Sequence, residues 1–315
     1  MGARILFFAG LVAVSSGLLS PPAALATGIF FGMAFLHPFE KQSRHWSKVL
    51  LQISVIALGF GIDFGQVLRT GRASFVYTAV GIGAAMVIGL ALGRLLKVRP
   101  KAAFLITAGT AICGGSAIAA IAPITNPNDE ELAMSLGTVF TLNSVALLLF
   151  PAIGLALHMT QTQFGLWSAL AIHDTSSVVG AAAKFGPQAL AVGTVVKLTR
   201  ALWIVPVAMI TAAASKSQAR VRVPWFIVLF CLAALAKTWF AAGAPVFTNV
   251  FAKVFATLTQ LGHVGLAVTL FLIGTGITAR MIRQAGARVM LQGVILWIVV
   301  ATASLWIIRE GWIHL

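Results

Sequence analysis

Long apolar runs almost free of charge set the limits on this chain. Residues 74–96, 132–157, 224–242 and 289–308 each approach the roughly 20 apolar residues that carry an α-helix through a bilayer. Hydrocarbon offers no water to an unpaired backbone group, so each run must close its own hydrogen bonds, which predicts helices. Barrel strands alternate over about ten residues and do not match such unbroken runs. A soluble reading fails on charge: 9% of the residues are charged, against about 25% in an ordinary soluble domain.

The formal charge of +15 would suit a nucleic-acid partner, but its placement argues against one. The basic residues fall in short clusters between apolar runs, the positive-inside pattern that sets orientation. The two cysteines, Cys113 and Cys231, lie inside apolar segments and imply no disulfide framework. Arg4 followed by an apolar stretch and Ala24-Leu25-Ala26 also fits a signal-peptide template. A first membrane span is the preferred reading of it.

Eleven hydrophobic segments are expected: 5–20, 22–37, 49–62, 74–96, 102–124, 132–157, 164–184, 188–214, 224–242, 254–277 and 289–308. The fold class is therefore an all-α polytopic membrane protein. A single transmembrane domain is expected over 1–315, with 1–48 as peripheral N-terminal helices and 49–315 as the core. If each segment crosses once from a cytoplasmic N-terminus, most basic residues become cytoplasmic. They are Arg4; Lys41, Arg44 and Lys48; Arg94, Lys97, Arg99 and Lys101; Lys216, Arg220 and Arg222; and Arg280, Arg283 and Arg288. The acidic cluster Asp129-Glu130-Glu131 falls on the other side. This predicts N-in, C-out.

Two internal similarities stand out. Residues 56–62 (IALGFGI), followed by Gly71, align with 271–277 (FLIGTGI), followed by Gly286, at a constant offset of 215. Opposite running directions for the two copies predict an inverted repeat. Residues 111–118 (AICGGSAI) resemble 171–178 (AIHDTSSV) at an offset of 60, which fits no single tandem duplication with the first. One of these two segments could re-enter rather than cross.

Both offset-60 stretches interrupt apolar segments with polar and small residues. Gly114-Gly115 predicts a helix break, with Thr110, Cys113 and Ser116 beside it. A break at membrane depth frees backbone groups that must face protein or a wet cavity, and the resumed helix offers donors to an anion. His173, Asp174, Thr175, Ser176 and Ser177 form the second interruption. A carboxylate there is a functional candidate, and Asp174 is equally a helix-capping type. His173 can exchange a proton near neutral pH. Lys197 and Arg200 share one helix face at i,i+3, with Thr194 on the same side. Two cations at membrane depth need anionic company. Asp174 supplies one negative charge, and a bound anion could supply the rest. Thr138, Thr141, Asn143 and Ser144 give 132–157 a polar patch, read as helix–helix bonding or cavity lining. Asn128 with the acidic cluster is expected to cap the following helix.

Residues 110–123 (TAICGGSAIAAIAP), 171–182 (AIHDTSSVVGAA) and 195–206 (VVKLTRALWIVP) resemble the YeiH-type family of bacterial membrane proteins. Members are commonly named sulfate exporters. The resemblance covers residue 49 to the C-terminus. A more distant similarity reaches transporters with crossed broken helices and implies elevator-like movement, by analogy. Together these imply a secondary transporter of a small oxyanion, sulfate- or sulfite-like, in the cell inner membrane. The expected substrate-binding set is Thr110, Cys113, Gly114, Gly115, Ser116, Asn143, His173, Asp174, Thr175, Ser176, Ser177, Lys197 and Arg200. Expected partners are the anionic solute and the lipid bilayer, with a homodimer as an open arrangement. No cofactor or bound metal is expected beyond a coupling H+ or Na+, and no enzyme activity. Two alternatives stay open: a sodium- or proton-coupled carrier of another solute with Asp174 as its ion site, and an anion channel.

Overall fold

The structure is a computed structural model and describes residues 2–17, 19, 21–35, 38–215, 225–241, 245–276 and 286–313. Among these, the regular structure is α-helical. In chain order the helices are α1 (Gly2–Ser15), α2 (Pro21–Ala34), α3 (Glu40–Gly59), α4 (Phe64–Leu95), α5 (Pro100–Ala111), α6 (Gly115–Thr125) and α7 (Asp129–Ala156). Then follow α8 (Gln161–Ala171), α9 (Thr175–Phe185), α10 (Pro187–Leu202), α11 (Ile204–Ala214), α12 (Trp225–Ala241), α13 (Pro245–Thr275) and α14 (Ala287–Arg309). Five stretches are long and apolar enough to cross a membrane by length and composition: Phe64–Leu95, Asp129–Ala156, Pro187–Ala214, Phe251–Thr275 and Ala287–Arg309. Lys216, Arg220, Arg222, Arg280, Arg283 and Ile277 lie outside the described residues, as do the side chains of Lys41 and Arg44.

Contacts divide the chain into two units, Met1–Thr70 with Pro224–Thr278, and Gly71–Val223 with Ala279–Leu315. In the first, α3 and α13 pack along their lengths through small residues. A Cβ on Gly265 would lie 3.6 Å from Leu50, one on Gly262 3.1 Å from Ala57, and one on Gly61 2.9 Å from Thr259. Beyond these, Phe60 stacks on Phe255 with ring centroids 5.3 Å apart. As α3 advances α13 recedes, so the two run antiparallel. Gly59 and Gly274, the paired positions of the offset-215 similarity, each admit a neighbouring helix. A Cβ on Gly59 would meet Ala233 of α12 at 3.1 Å, and one on Gly28 of α2 would meet the Gly274 α-carbon at 3.1 Å. Close approach of this kind is what small residues provide where lipid removes the hydrophobic drive between helices.

The second unit contains two helical hairpins. At the mouth of the first, Lys101 Nζ donates to the Asn126 carbonyl at 2.6 Å, and Arg99 pairs with Glu130 at 2.7 Å. Placed end to end, α5 and α6 would hold those residues roughly 35 Å apart at about 1.5 Å per residue. The chain therefore enters along α5, turns at 112–114 and returns along α6. The second hairpin closes in the same way. Phe164 of α8 stacks on Phe185 of α9 at 3.9 Å, and the Gln188 amide donates to Gln161 Oε1 at 3.0 Å. Residues 102–124 and 164–184, each expected as one segment with re-entry left open for one of them, both fold back as hairpins.

α7 shows that the hairpins enter from opposite ends. It starts at the first hairpin's mouth, where Asn128 and Glu131 form the expected capping box. Midway it passes both tips: Val139 would lie 3.1 Å from a Cβ on Gly114, and Asn143 bonds residues 173 and 174. It ends at the second mouth, where a Cβ on Gly154 would lie 2.9 Å from Phe185. α8 then opens with its own capping box, Thr160 with Gln163. Pro100 and Pro187 open α5 and α10 at positions with no intrahelical N–H bond to lose.

In the first unit, Asp63 precedes α4. Its carboxylate accepts from the Gln66 amide at 3.1 Å and from the Thr238 hydroxyl at 3.1 Å. The Gln66 N–H foremost, with Thr238 and the charge of Lys237, holds this carboxyl below its ordinary value, against the opposing effect of desolvation. Asp63→Ala should lower unfolding stability in detergent micelles at pH 7 by about 1 kcal/mol. A carboxyl with a depressed folded pKa stabilises above its unfolded value and loses that contribution as pH falls through the folded one. The gap between wild type and variant should therefore close below about pH 3.9.

Candidate functional site

The two hairpin tips meet, and α10 crosses them with Lys197 and Arg200. An α-helix leaves its last carbonyls unpaired, and they form the negative end of its dipole. α5 and α8 bring two such ends to one place in the second unit. Lys197 Nζ donates to the carbonyls of Ile172 at 2.8 Å, Ile112 at 3.2 Å and Ala169 at 3.4 Å. Arg200 Nε donates to Ala111 at 2.7 Å and Nη2 to Thr110 at 3.3 Å. Its Nη1 reaches Ala169 at 3.4 Å and Leu170. Lys197 is 0% exposed and Arg200 3%. Their anionic company is thus two helix C-termini. Asp174, expected to supply one negative charge, makes no ion pair with either one among the described residues and acts on Lys197 through charge alone.

Asp174 caps α9 instead. Its Oδ2 accepts from the Ser176 amide at 3.0 Å, the Ser177 amide at 3.4 Å and the Ser176 hydroxyl. The turn that presents it is held from α7: Asn143 Oδ1 accepts the His173 amide and the Asp174 amide, each at 3.1 Å. At the first hairpin, α6 begins at Gly114 with no side-chain cap. Gly114 adopts φ 66° and ψ −129°, a conformation that glycine tolerates and L side chains rarely adopt. A Cβ on Gly115 would meet the Phe140 ring at 3.0 Å, Cys113 is buried and Ser116 is exposed.

A set of buried polar atoms on α5, α7, α10 and the second tip has no hydrogen-bond partner. It comprises Thr110 Oγ1, Thr138 Oγ1, Asn143 Nδ2, both ring nitrogens of His173 and Thr194 Oγ1. These five residues are each at most 3% exposed. Buried polar groups are paired in the great majority of cases, so a cluster left open needs a reason. Thr141 and Ser144 of the expected patch bond back to their own helix, at Gly137 and Phe140. Thr175 and Ser177 are buried in the first turn of α9.

The structure thus brings Thr110, Cys113, Gly114, Asn143, His173, Asp174, Lys197 and Arg200 to one place, with Gly115, Ser116, Thr175, Ser176 and Ser177 opening the two returning helices. Sequence reasoning placed a segment at 289–308, where α14 lies, but missed its polar side chains. Its Gln292 Nε2 donates to Gly89 at 2.9 Å and Ala103 at 3.2 Å. Trp297 Nε1 donates to the Ala171 carbonyl at 3.0 Å, beside the second tip. The available signal was a lone amide and an indole inside the apolar run 289–308. Among the described residues, no group of three or more His, Cys, Asp or Glu side chains is placed to hold a metal ion.

This is a polytopic helical membrane protein whose second unit is built on two opposed hairpins clasped at their tips. The family model described as conserved hypothetical protein 698 matches residues 4–293, and the chain belongs to that family, the UPF0324 membrane proteins. It is 46% identical over 303 residues to a UPF0324 membrane protein of Bdellovibrio bacteriovorus, covering 94% of this chain and 91% of that one. It is 44% identical to one of Geobacter sulfurreducens (92% and 91% covered) and 42% identical to one of Bacteroides thetaiotaomicron (92% and 86% covered). No solved structure matches.

Lys197→Met would leave the Ile112 and Ile172 carbonyls without their donor. It should cost roughly 2–3 kcal/mol of unfolding stability, with faster amide hydrogen exchange confined to residues near 112–116 and 172–176. Unchanged exchange at both tips would show that Lys197 does not hold them.

Proposed function

We propose that this protein is a secondary transporter of a small oxyanion, sulfate- or sulfite-like, across the bacterial inner membrane. One observation carries the reading: two hairpin tips enter from opposite ends and meet around two buried cations and a set of unpartnered polar groups. Discontinuous helices meeting near the membrane centre are how many transporters place a solute site. The chemistry there favours an anion. Asn143 Nδ2 and three threonine hydroxyls are free to donate, and the first turn of α6 has no side-chain cap. Lys197 and Arg200 give the surroundings positive charge, while the carboxylate of Asp174 is engaged by α9. That engagement weighs against Asp174 as a sodium or proton site.

In this proposal the hairpins stand in the membrane without crossing it, so the eleven expected segments become nine crossings and two hairpins. N-in, C-out orientation is retained. The acidic cluster at 129–131 moves to the cytoplasmic side, where Glu130 already pairs with Arg99. The antiparallel course of α3 and α13, with Gly59 and Gly274 in like roles, supports an inverted repeat at offset 215. The offset-60 similarity is a second one, since the hairpins it relates point in opposite directions. Alternating access is proposed to be elevator-like, with H+ or Na+ as the coupling ion and no cofactor or enzyme activity.

Proteoliposomes should accumulate radiolabelled sulfate saturably and exchange it for trapped unlabelled sulfate, which a channel would not do. If sulfate, sulfite, thiosulfate and bicarbonate all fail to enter and none raises the melting temperature, the oxyanion reading is wrong. For topology, single cysteines placed at Lys97 and at Glu130 in a cysteine-free background should react with an impermeant reagent from the same face, the cytoplasmic one. Labelling from opposite faces would remove the hairpin.

A further inference from the structure

We infer that the oxyanion seats on the N-terminus of α6, at residues 114–117, in the place that the Asp174 carboxylate holds on α9. The inference rests on the transport reading and narrows it to one position. α6 (Gly115–Thr125) and α9 (Thr175–Phe185) are related by the offset of 60 along their whole length, which sets Gly114 opposite Asp174, Ser116 opposite Ser176 and Ala117 opposite Ser177. On α9 one carboxylate oxygen takes the amides of residues 176 and 177 and the Ser176 hydroxyl. On α6 the equivalent donors are the amide of residue 116 and the Ser116 hydroxyl, while the Ala117 amide faces the buried Cys113 sulfur. The residue in the carboxylate's position is a glycine with no side chain.

A helix N-terminus alone would not make a site, but a second observation points to the same spot. His173 is 1% exposed, both its ring nitrogens lack a partner, and its Cβ lies 3.4 Å from where a Cβ on Gly114 would stand. Asn143 Nδ2 is likewise buried and unpartnered, on the residue that holds the 173–174 turn. Donors of this kind beside an uncapped helix start suit an oxyanion, which offers one oxygen to the helix and others to the imidazole and the amide. A halide has no second atom to offer. The wall is tight, with Val139 3.1 Å and the Phe140 ring 3.0 Å from the Cβ positions of Gly114 and Gly115. This limits the ligand to a compact ion. Ser116 is exposed and marks the open side. Asp174 then acts as a tethered anion that keeps the twin position filled, so each chain binds one oxyanion.

The test uses the full-length protein in detergent, titrated calorimetrically with sodium sulfate and, separately, with sodium chloride. Wild type should bind one sulfate per chain and chloride much more weakly. Ser116→Ala should raise the sulfate Kd about tenfold, the size of a lost hydrogen bond to a charged group. Thr141→Ala, which loses only an intrahelical bond, should stay within about twofold by the same argument. Asp174→Ala uncovers the twin helix start and should bind a second sulfate. Sulfate binding undisturbed in Ser116→Ala, or a folded Asp174→Ala that still binds one, overturns the seat on α6 and leaves the oxyanion reading standing. If Asp174→Ala does not fold, Ser116→Ala decides. Wild type that binds no oxyanion sinks the transport reading and this inference together.

Discussion

Backbone groups that a membrane will not solvate govern this architecture. Each hairpin turn ends one helix and starts another at a depth where no water is assured, which exposes carbonyls at α5 and α8 and amides at α6 and α9. The carbonyl side is met by α10, whose Lys197 and Arg200 distribute their donors over both tips. One consequence is mutual dependence. Neither tip has a full complement of partners without α10, and neither cation could be buried without both tips, because an unpaired buried charge costs several kcal/mol. The clasp ties the two hairpins into one body, and the rest of the second unit is arranged around that body.

The amide side is treated unequally. At α9 the chain provides its own anion in Asp174, and Asn143 fixes the turn that carries it. At α6 the cap residue is a glycine, and the Cys113 sulfur faces the Ala117 amide. Packing follows the same division. The second hairpin is held by an aromatic seam, with Phe150 stacked on Trp167 at 4.2 Å and Trp297 at 5.8 Å. Such ring pairs add about 0.5–1.5 kcal/mol each beyond burial. The first hairpin is held by an aliphatic core in which Leu105, Ile106, Ile118 and Ile121 pack with Val139 and Val289, and by the amide of Gln292. Its mouth is closed by the exposed Arg99–Glu130 pair, a class of contact worth about 0–1 kcal/mol.

Local chemistry was legible in the sequence, and chain direction was not. Paired glycines and a His-Asp-Thr-Ser-Ser run inside apolar segments announce two helix breaks, and both fall where expected. The i,i+3 spacing of Lys197 and Arg200 places them on one buried face, as found. Hydropathy, however, cannot tell a segment that crosses from one that turns back, since both present about 20 apolar residues. The reversal is encoded in pairs far apart in sequence, such as Lys101 with Asn126 and Phe164 with Phe185, whose meeting no local pattern foretells. Reading each segment as a crossing also gave the two offset-60 stretches the same direction, whereas the hairpins that carry them point in opposite directions. The partners of the cations were hidden for a related reason. Their ligands are main-chain carbonyls, which every residue carries, so no residue type marks them.

The inequality between the hairpins bears on how such a body could bind and release. A site made from two identical helix starts would hold an anion symmetrically and offer it to both sides alike. Filling one start permanently with Asp174 removes that symmetry. Under the proposed seat, the donors left at α6 belong to the hairpin packed through aliphatic side chains rather than stacked rings. Binding energy there would fall on that hairpin alone. A ligand shifts a conformational balance only through its different affinity for the two states, and contacts with an element that can move are where such a difference arises. Lys197 and Arg200 each bond carbonyls of both tips, so a movement that keeps those carbonyls paired must carry the two tips together.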